Sequence, residues 1–74
     1  MNTPEAYAIT IRGYLPTDWE DWFEGMKIST NPHKNETVLQ GTIVDQAQLF
    51  GLLIKIRNLG LTLIDVRNLN SQAL

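Results

Sequence analysis

Cysteine is absent from this chain of 74 residues, and histidine occurs once, as His33. The missing thiols exclude disulfides and thiolate metal sites, and a lone histidine excludes a site built from several histidines of one chain. We therefore expect no metal and no other cofactor. A domain this short buries only about 60% of its unfolded surface and gains about 3–5 kcal/mol from a single core. Self-association is the remaining common way to stabilise it, so we expect a homodimer or a higher homo-oligomer.

Basic residues and long apolar runs are also scarce. Six lysines and arginines stand against eight acidic residues, which gives a net charge of −2. Since nucleic-acid binding relies on cations that neutralise phosphates, we expect no nucleic-acid partner. No apolar run approaches the roughly 18 residues of a membrane helix, so no membrane partner is expected. Residues 1–6 show neither the basic nor the apolar region of a secretory signal, and we expect a cytoplasmic protein.

The first half of the chain changes its hydrophobic period once. In residues 7–12, Tyr7, Ile9 and Ile11 share one face, and the smaller or polar side chains of residues 8, 10 and 12 share the other, which predicts a half-buried strand. Thr17 and Glu20 have the spacing of a capping box, and Gly25 is a suitable stop, so a short helix is predicted over 17–25. Helical spacing then places four apolar side chains on the core-facing side of this helix: Trp19, Trp22, Phe23 and Met26.

The second half carries sharper signals. Residues 27–30 predict a weak strand and residues 37–44 a clear one, in which Gly41 indicates either a close approach by a side chain or a bulge. Asp45 is a predicted N-cap, with Gln48 at the reciprocal position of a capping box, and Gly60 is the predicted end of the helix. Between them runs an apolar stripe of helical period: Leu49, Leu52, Leu53, Ile56 and Leu59. Residues 61–66 predict the last strand, and residues 69–74 a polar tail.

The predicted order of elements is β-α-β-β-α-β, in a single domain over residues 1–74 that is ordered over about 6–68. With right-handed crossovers, the compact solution is an α+β, ferredoxin-like sandwich. Its sheet has four antiparallel strands in the spatial order 4-1-3-2, with two helices on one face.

The sheet face that the helices leave uncovered is the first candidate surface. Its side chains are mostly small or β-branched: Ala8, Thr10, Arg12, Val38, Gln40, Thr42 and Val44. A solvated face usually carries more lysine and glutamate. We therefore expect this face to pack against a second copy in a C2 dimer, the alternative being a plain solvated face. The expected dimer face consists of Ala8, Thr10, Val38, Gln40 and Thr42.

The second helix carries a side stripe beside its core stripe, formed by Ala47, Phe50 and Ile54. We favour packing of this stripe against the first helix. The alternatives are a second interface or the lining of a small pocket.

Residues that carry chemistry are few and isolated. No nucleophile–base pair or metal-ligand set is visible, so we expect no enzyme. The acidic residues of the first helix are interpreted as its solvated side: Asp18, Glu20, Asp21 and Glu24. His33 is interpreted as a surface residue of a turn. Arg12 and Gly13 begin the loop between the first strand and the first helix, where ferredoxin-like domains often bind small anions.

Three motifs give the chain a family resemblance. They are R-G-Y-L at residues 12–15, W-x-x-W-F-x-G at residues 19–25, and V-D-Q-A-x-L-x-G-L-L-x-K-I-R-x-L-G-L at residues 44–61. With these motifs the chain resembles a group of short uncharacterised bacterial proteins, over residues 7–66. The resemblance implies a ferredoxin-like fold and a bacterial cytosolic setting, and it implies no activity.

Two of the shared positions have no structural explanation at this point. Gln46 lies just inside the second helix, where an amide is not required, and Arg57 stands where any cation would complement the helix dipole. If the family has a functional surface, we expect it at Arg12, Gly13, Gln46 and Arg57.

The leading hypothesis is a small non-catalytic interaction domain that self-associates through its open sheet face, as an accessory or regulatory protein with an unidentified protein partner. The alternative is a sensor of a small ligand, similar in logic to amino-acid-binding regulatory domains. That ligand would lie near Arg12, Gly13 and Gln46 at a subunit boundary.

Overall fold

The computed structural model describes residues 4–70 of the chain. Its four strands form one antiparallel sheet with the order β2-β3-β1-β4, which is 4-1-3-2 when it is read from the β4 edge. The elements in chain order are β1 (Glu5–Arg12), a 3₁₀ helix (Thr17–Trp19), β2 (Lys27–Asn31), β3 (Glu36–Ile43), α1 (Gln46–Asn58) and β4 (Thr62–Asn68). Within residues 4–70, no helix has the length and apolar character needed to cross a membrane.

The central strand β1 separates the two faces of the sheet. Ile9 and Ile11 are fully buried, and Ile9 lies opposite Leu39 of β3, which is also buried. Because successive side chains of a strand point to opposite faces, the odd-numbered positions of β1 and β3 form the covered face. One core lies on that side, and it contains Ile9, Ile11, Leu15, Phe23, Met26, Ile28, Leu39, Ile43, Leu49, Leu52 and Ile56.

Helix α1 begins and ends where the sequence predicts. The Gln48 N–H donates to Asp45 Oδ1 at 2.8 Å, and the Gln48 side chain accepts from the Val44 N–H at 2.7 Å. At the other end, Gly60 has φ +75°, its N–H donates to the Arg57 carbonyl at 2.9 Å, and the Leu61 N–H donates to Ile56 at 3.1 Å. These two bonds form a Schellman motif, which satisfies the last carbonyls of the helix. Asp45 and Gly60 are confirmed as cap and stop.

The helix predicted over residues 17–25 is wrong. Pro16, rather than Thr17, precedes a single 3₁₀ turn, and no side chain caps it. Turns continue to Glu24 and Gly25, which have φ +59° and +81° and therefore end any right-handed helix. Glu20 does not reach back to Thr17. Its carboxylate accepts from the Ile28 N–H at 2.9 Å, so a bond to β2 replaces the predicted capping box. In the described part of the chain, one α-helix covers the sheet rather than two.

The turns over residues 20–25 redistribute the aromatic residues. Phe23 and Met26 are buried, as predicted. Trp19 and Trp22 are exposed, and Trp22 is 51% exposed. The prediction that both tryptophans pack in the core is wrong, because it assumed one continuous α-helix, whereas the chain forms a short 3₁₀ helix followed by turns.

Two smaller expectations concern the ends of elements. Leu59 is exposed rather than part of the core stripe, because it is the C-cap residue of α1. After β4, the Leu69 N–H donates to the Ala6 carbonyl at 2.7 Å, so pairing with β1 reaches the start of the predicted tail. Residues 71–74 of that tail lie outside the described residues.

Candidate interaction surface

The open face of the sheet, meaning the face away from α1, carries the residues expected at a dimer interface. Ala8 pairs with Gln40, Thr10 pairs with Val38, and Thr42 pairs with Ala6. These positions alternate with the buried Ile9, Leu39 and Ile43, so their side chains point away from the core. All five predicted residues, Ala8, Thr10, Val38, Gln40 and Thr42, therefore share one surface on the two central strands.

The side chains at the middle of the open face are short and uncharged. Ala8, Thr10 and Val38 are half-buried by their neighbours, although no element covers them. Two open depressions lie on this face. One of about 510 Å³ lies towards β2 and is lined by Lys27, Ser29 and Thr42 among others. The other, of about 370 Å³, lies over the middle itself and extends towards β4, because its lining includes Ala8, Thr10 and Val38 as well as Asp65 and Arg67.

Charges of both signs surround this middle. Lys27 borders the β2 side, and Glu36 lies at the end of β3, opposite Arg12 of β1. On β4, the Arg67 Nε lies 3.6 Å from the Asp65 carboxylate, and both side chains remain largely exposed. The open face therefore combines a neutral centre with a rim on which acidic and basic groups alternate.

A second exposed region lies along β4 and the neighbouring side of α1. We call Phe50, Leu63 and Val66 the edge patch; all three side chains are exposed. Lys55 and Gln48, on the other side of α1, contact Glu24. Helical spacing places Phe50 on the side opposite these contacts, towards β4.

The favoured interpretation of the side stripe, packing against a first helix, is wrong. The only α-helix among residues 4–70 is α1 itself, and the segment that replaces the first helix lies on its other side. Ala47, Phe50 and Ile54 are therefore left exposed.

The structure separates the residues predicted for a ligand site. Arg12 is exposed at the end of β1, where it lies opposite Glu36 and Thr62. Gln46 lies at the start of α1, where its amide is 3.5 Å from the Tyr7 hydroxyl. Tyr7 and Arg12 are five positions apart on one strand, which spans about 16 Å at the usual rise of a strand. Arg12 and Gln46 are therefore not neighbours within one copy.

Gly13 and Gln46 have structural roles that the sequence did not reveal. Gly13 has φ +97°, its N–H donates to the Asn35 carbonyl at 2.6 Å, and its carbonyl accepts from the buried Thr37 hydroxyl at 2.6 Å. The Gln46 amide points to the Tyr7 hydroxyl, which also accepts from the Asn68 amide at 3.3 Å. Arg57 is exposed in the last turn of α1, where a cation complements the helix dipole.

Two of the other polar candidates, Glu20 and Glu24, are occupied by local contacts. The His33 backbone N–H donates to the Asn31 side chain at 3.1 Å in the turn between β2 and β3, and the His33 side chain is exposed. Glu24 forms an ion pair with Lys55 at 3.4 Å, and Glu20 binds the backbone of β2. Over residues 4–70 no three histidine, aspartate or glutamate side chains are grouped so that they could hold a metal ion.

An exposed pair of tryptophans lies outside the open face and the edge patch, on the segment before β2. The rings of Trp19 and Trp22 meet edge to face, with centroids 6.4 Å apart. Lys55 Nζ lies 5.1 Å from the centre of the Trp22 ring and donates to the Trp22 carbonyl at 2.8 Å. The three-residue spacing of the two tryptophans was the available signal for this pair, because it fits a 3₁₀ turn as well as an α-helix.

Comparison with known proteins identifies the family. The model of a domain of unknown function, DUF8691, matches residues 6–67. The chain belongs to this family. The DUF8691 match includes α1 and most of every strand, and so it includes both the open face and the edge patch. No curated protein and no solved structure matches the chain.

Proposed function

We propose that this DUF8691 protein is a small non-catalytic interaction domain that self-associates through the open face of its sheet. It would serve as an accessory or regulatory protein in the cytoplasm. The fold we propose is a ferredoxin-like sandwich in which the first helix is reduced to a 3₁₀ turn. The observation that carries the proposal is the neutral centre of the open face, formed by Ala8, Thr10 and Val38 on the two central strands.

Small side chains at the centre favour contact between two sheets. Stacked sheets pack about 10 Å apart, and long charged side chains at the centre would prevent that approach. On this chain the charges stand at the rim and have both signs, as Lys27, Glu36 and Arg67 illustrate. Away from a two-fold axis, a rim segment meets a different segment of the second copy, so acidic and basic groups are able to meet.

The small core gives a physical reason for association. Eleven buried hydrophobic residues make up the core of residues 4–70, and part of that core lies under one α-helix and the rest under a short turn segment. Domains of this size obtain little stability from burial alone. Covering the open face with a second copy adds apolar burial at about 25 cal/mol per Å² and extends the core to both sides of the sheet.

The test is the effect of a charge at the centre of the face on the mass in solution. Thr10 lies on β1 between Val38 of β3 and Asp65 of β4. We expect Thr10→Lys to lower the mass measured by light scattering while the circular dichroism spectrum stays unchanged. The matched control is Thr30→Lys, since Thr30 is exposed on β2 and lies opposite Thr37 on the covered side. An unchanged mass for Thr10→Lys would contradict the proposal.

The alternative, a small-ligand sensor, has weaker support from the geometry. Its three proposed ligand residues do not meet within one copy, because Arg12 and Gln46 lie at opposite ends of β1. A ligand site would therefore need residues from two copies. A shift in melting temperature with a panel of metabolites, lost in Arg12→Ala, would favour this alternative over pure self-association.

A further inference from the structure

We propose that a second copy also pairs with the β4 edge, strand against antiparallel strand, with the two-fold axis at Val66. This contact goes beyond the proposed function because it uses a strand edge and the edge patch rather than the open face. It joins two sheets of four strands into one sheet of eight.

The edge of β4 directs backbone groups outwards at Val66. The Leu69 N–H donates to the Ala6 carbonyl, Arg67 pairs with Ala8, and Asp65 pairs with Thr10. In an antiparallel ladder, alternate residues direct their N–H and C=O to the same neighbour. The Leu69 bond sets the phase of this alternation, so Asp65 and Arg67 direct their N–H and C=O to β1, and Val66 directs its own to the other side. Two Val66 residues placed on a two-fold axis are able to exchange both hydrogen bonds.

Charge favours this register over the registers with the axis at Asp65 or at Arg67. With the axis at Val66, Asp65 of each copy lies opposite Arg67 of the other copy, so two pairs of opposite charge form. With the axis at Asp65, two aspartates meet, and with the axis at Arg67, two arginines meet. Directly opposite pairs of like charge destabilise a sheet, and pairs of opposite charge stabilise it. The pairs across the axis are also of the non-hydrogen-bonded type, in which side chains are closest.

The apolar side chains beside this edge support the same contact. The three residues of the edge patch are between 36% and 56% exposed. An axis perpendicular to the sheet places both α1 helices on the same side of the joined sheet. Phe50 of one copy then approaches the same patch on the second copy, which removes apolar surface from water.

The two edges of the sheet differ in the way expected if only one of them pairs. The β2 edge is polar, with exposed Lys27, Ser29 and Asn31, and lysine is a common device against edge pairing. The β4 edge has no lysine and no proline, and it carries Leu63, Ile64 and Val66. The register shift between β1 and β4 falls between Thr10 and Ile11, so the strand is regular from Asp65 onwards.

The experiment uses two single variants. Two copies of the same variant should repel each other, and one copy of each variant should attract. Asp65→Arg places arginines at both charged positions, and Arg67→Asp places aspartates there. Each variant alone meets like charges across the axis, and we expect its dimer dissociation constant to rise about tenfold or more. An equimolar mixture restores opposite charges, so native mass spectrometry should show a heterodimer in excess of either homodimer.

Two further variants make the result specific. The experiment is run with and without Thr10→Lys, so that association through the open face is separated from association through the edge. Val66→Pro removes the N–H at the axis and should abolish the heterodimer, while the neighbouring pairing of Arg67 and Asp65 with β1 does not require that N–H. The pair between Asp65 and Arg67 within one copy cannot produce a gain on mixing. Absence of the heterodimer, or its persistence with Val66→Pro, would overturn the proposal.

Discussion

The side chain of Met26 lies against the backbone of Gly41. A Cβ atom placed on Gly41 would stand 2.8 Å from Met26 Sδ and 3.5 Å from Met26 Cα. Met26 is almost fully buried where the turn segment enters β2, so β3 leaves space for it by having no side chain at this position. The pairing of β1 with β3 continues through Gly41 without a shift. Of the two interpretations of Gly41, close approach is confirmed and a bulge is wrong.

Replacing Gly41 with alanine should therefore destabilise the protein. The added methyl group overlaps a buried sulfur atom, and such overpacking typically costs about 1–3 kcal/mol. The matched control is Gly51→Ala, since a Cβ at Gly51 meets nothing within 4 Å and alanine favours the α-helix. Chemical denaturation should show a lower free energy of unfolding for the first variant and an unchanged or higher one for the second. Equal values for the two variants would contradict the packing described for Met26.

The two neighbouring aromatic residues Trp22 and Phe23 should respond very differently to truncation. Phe23 is fully buried, and truncation of a buried phenylalanine to alanine typically costs about 3–5 kcal/mol. Trp22 is half exposed and loses mainly its contact with Lys55, for which about 1 kcal/mol is expected. Thermal and urea unfolding of both variants would measure the difference. A larger loss of unfolding free energy for Trp22→Ala than for Phe23→Ala would contradict the exposed position of Trp22.

The buried hydroxyl of Thr37 should be required for the loop after β1. It donates to the Gly13 carbonyl at 2.6 Å, and Thr37 has no exposed surface. Thr37→Val keeps the shape but leaves that carbonyl without its donor, which should cost about 1–3 kcal/mol. Thr37→Ser keeps the hydroxyl and should recover part of the loss, limited by the missing methyl group. If valine and threonine gave equal free energies of unfolding, the bond would have no role in stability.

Loss of the N-cap should weaken α1 specifically. Asp45 accepts from the Gln48 N–H, and replacement of a capping residue by alanine typically costs about 1 kcal/mol. Asp45→Ser retains a capping oxygen and serves as the control. We expect Asp45→Ala to lower the free energy of unfolding and to speed amide hydrogen exchange in the first turn of α1. Protection that is unchanged in that turn would speak against the cap.

Local signals predicted the parts of the fold whose causes are local. The alternation along β1, the Asp45 cap and the Gly60 stop each depend on residues within a few positions, and the structure has all three. The prediction of a helix after Pro16 failed because the decisive contact of this segment is with a residue outside it. Glu20 binds the backbone of Ile28, eight residues later. A capping-box pattern carries no information about that competing acceptor role.

The positions of the candidate surface residues were likewise predictable only where their causes are local. Alternation alone placed Ala8 and Val38 on the open face, because the period of a strand fixes the side of each residue. It did not place Arg12 and Gln46, whose separation depends on which end of the sheet each element occupies. Phe50 is exposed because it lies on the side of α1 opposite the segment over residues 17–25, and the position of that segment depends on contacts between residues distant in sequence.

Self-association of this domain is tested most directly by its mass in solution, measured by light scattering over a concentration series. We expect a weight-average mass that reaches at least twice the 8.4 kDa of one chain as the concentration rises. A mass of 8.4 kDa at every concentration would overturn self-association through the open face and through the β4 edge alike.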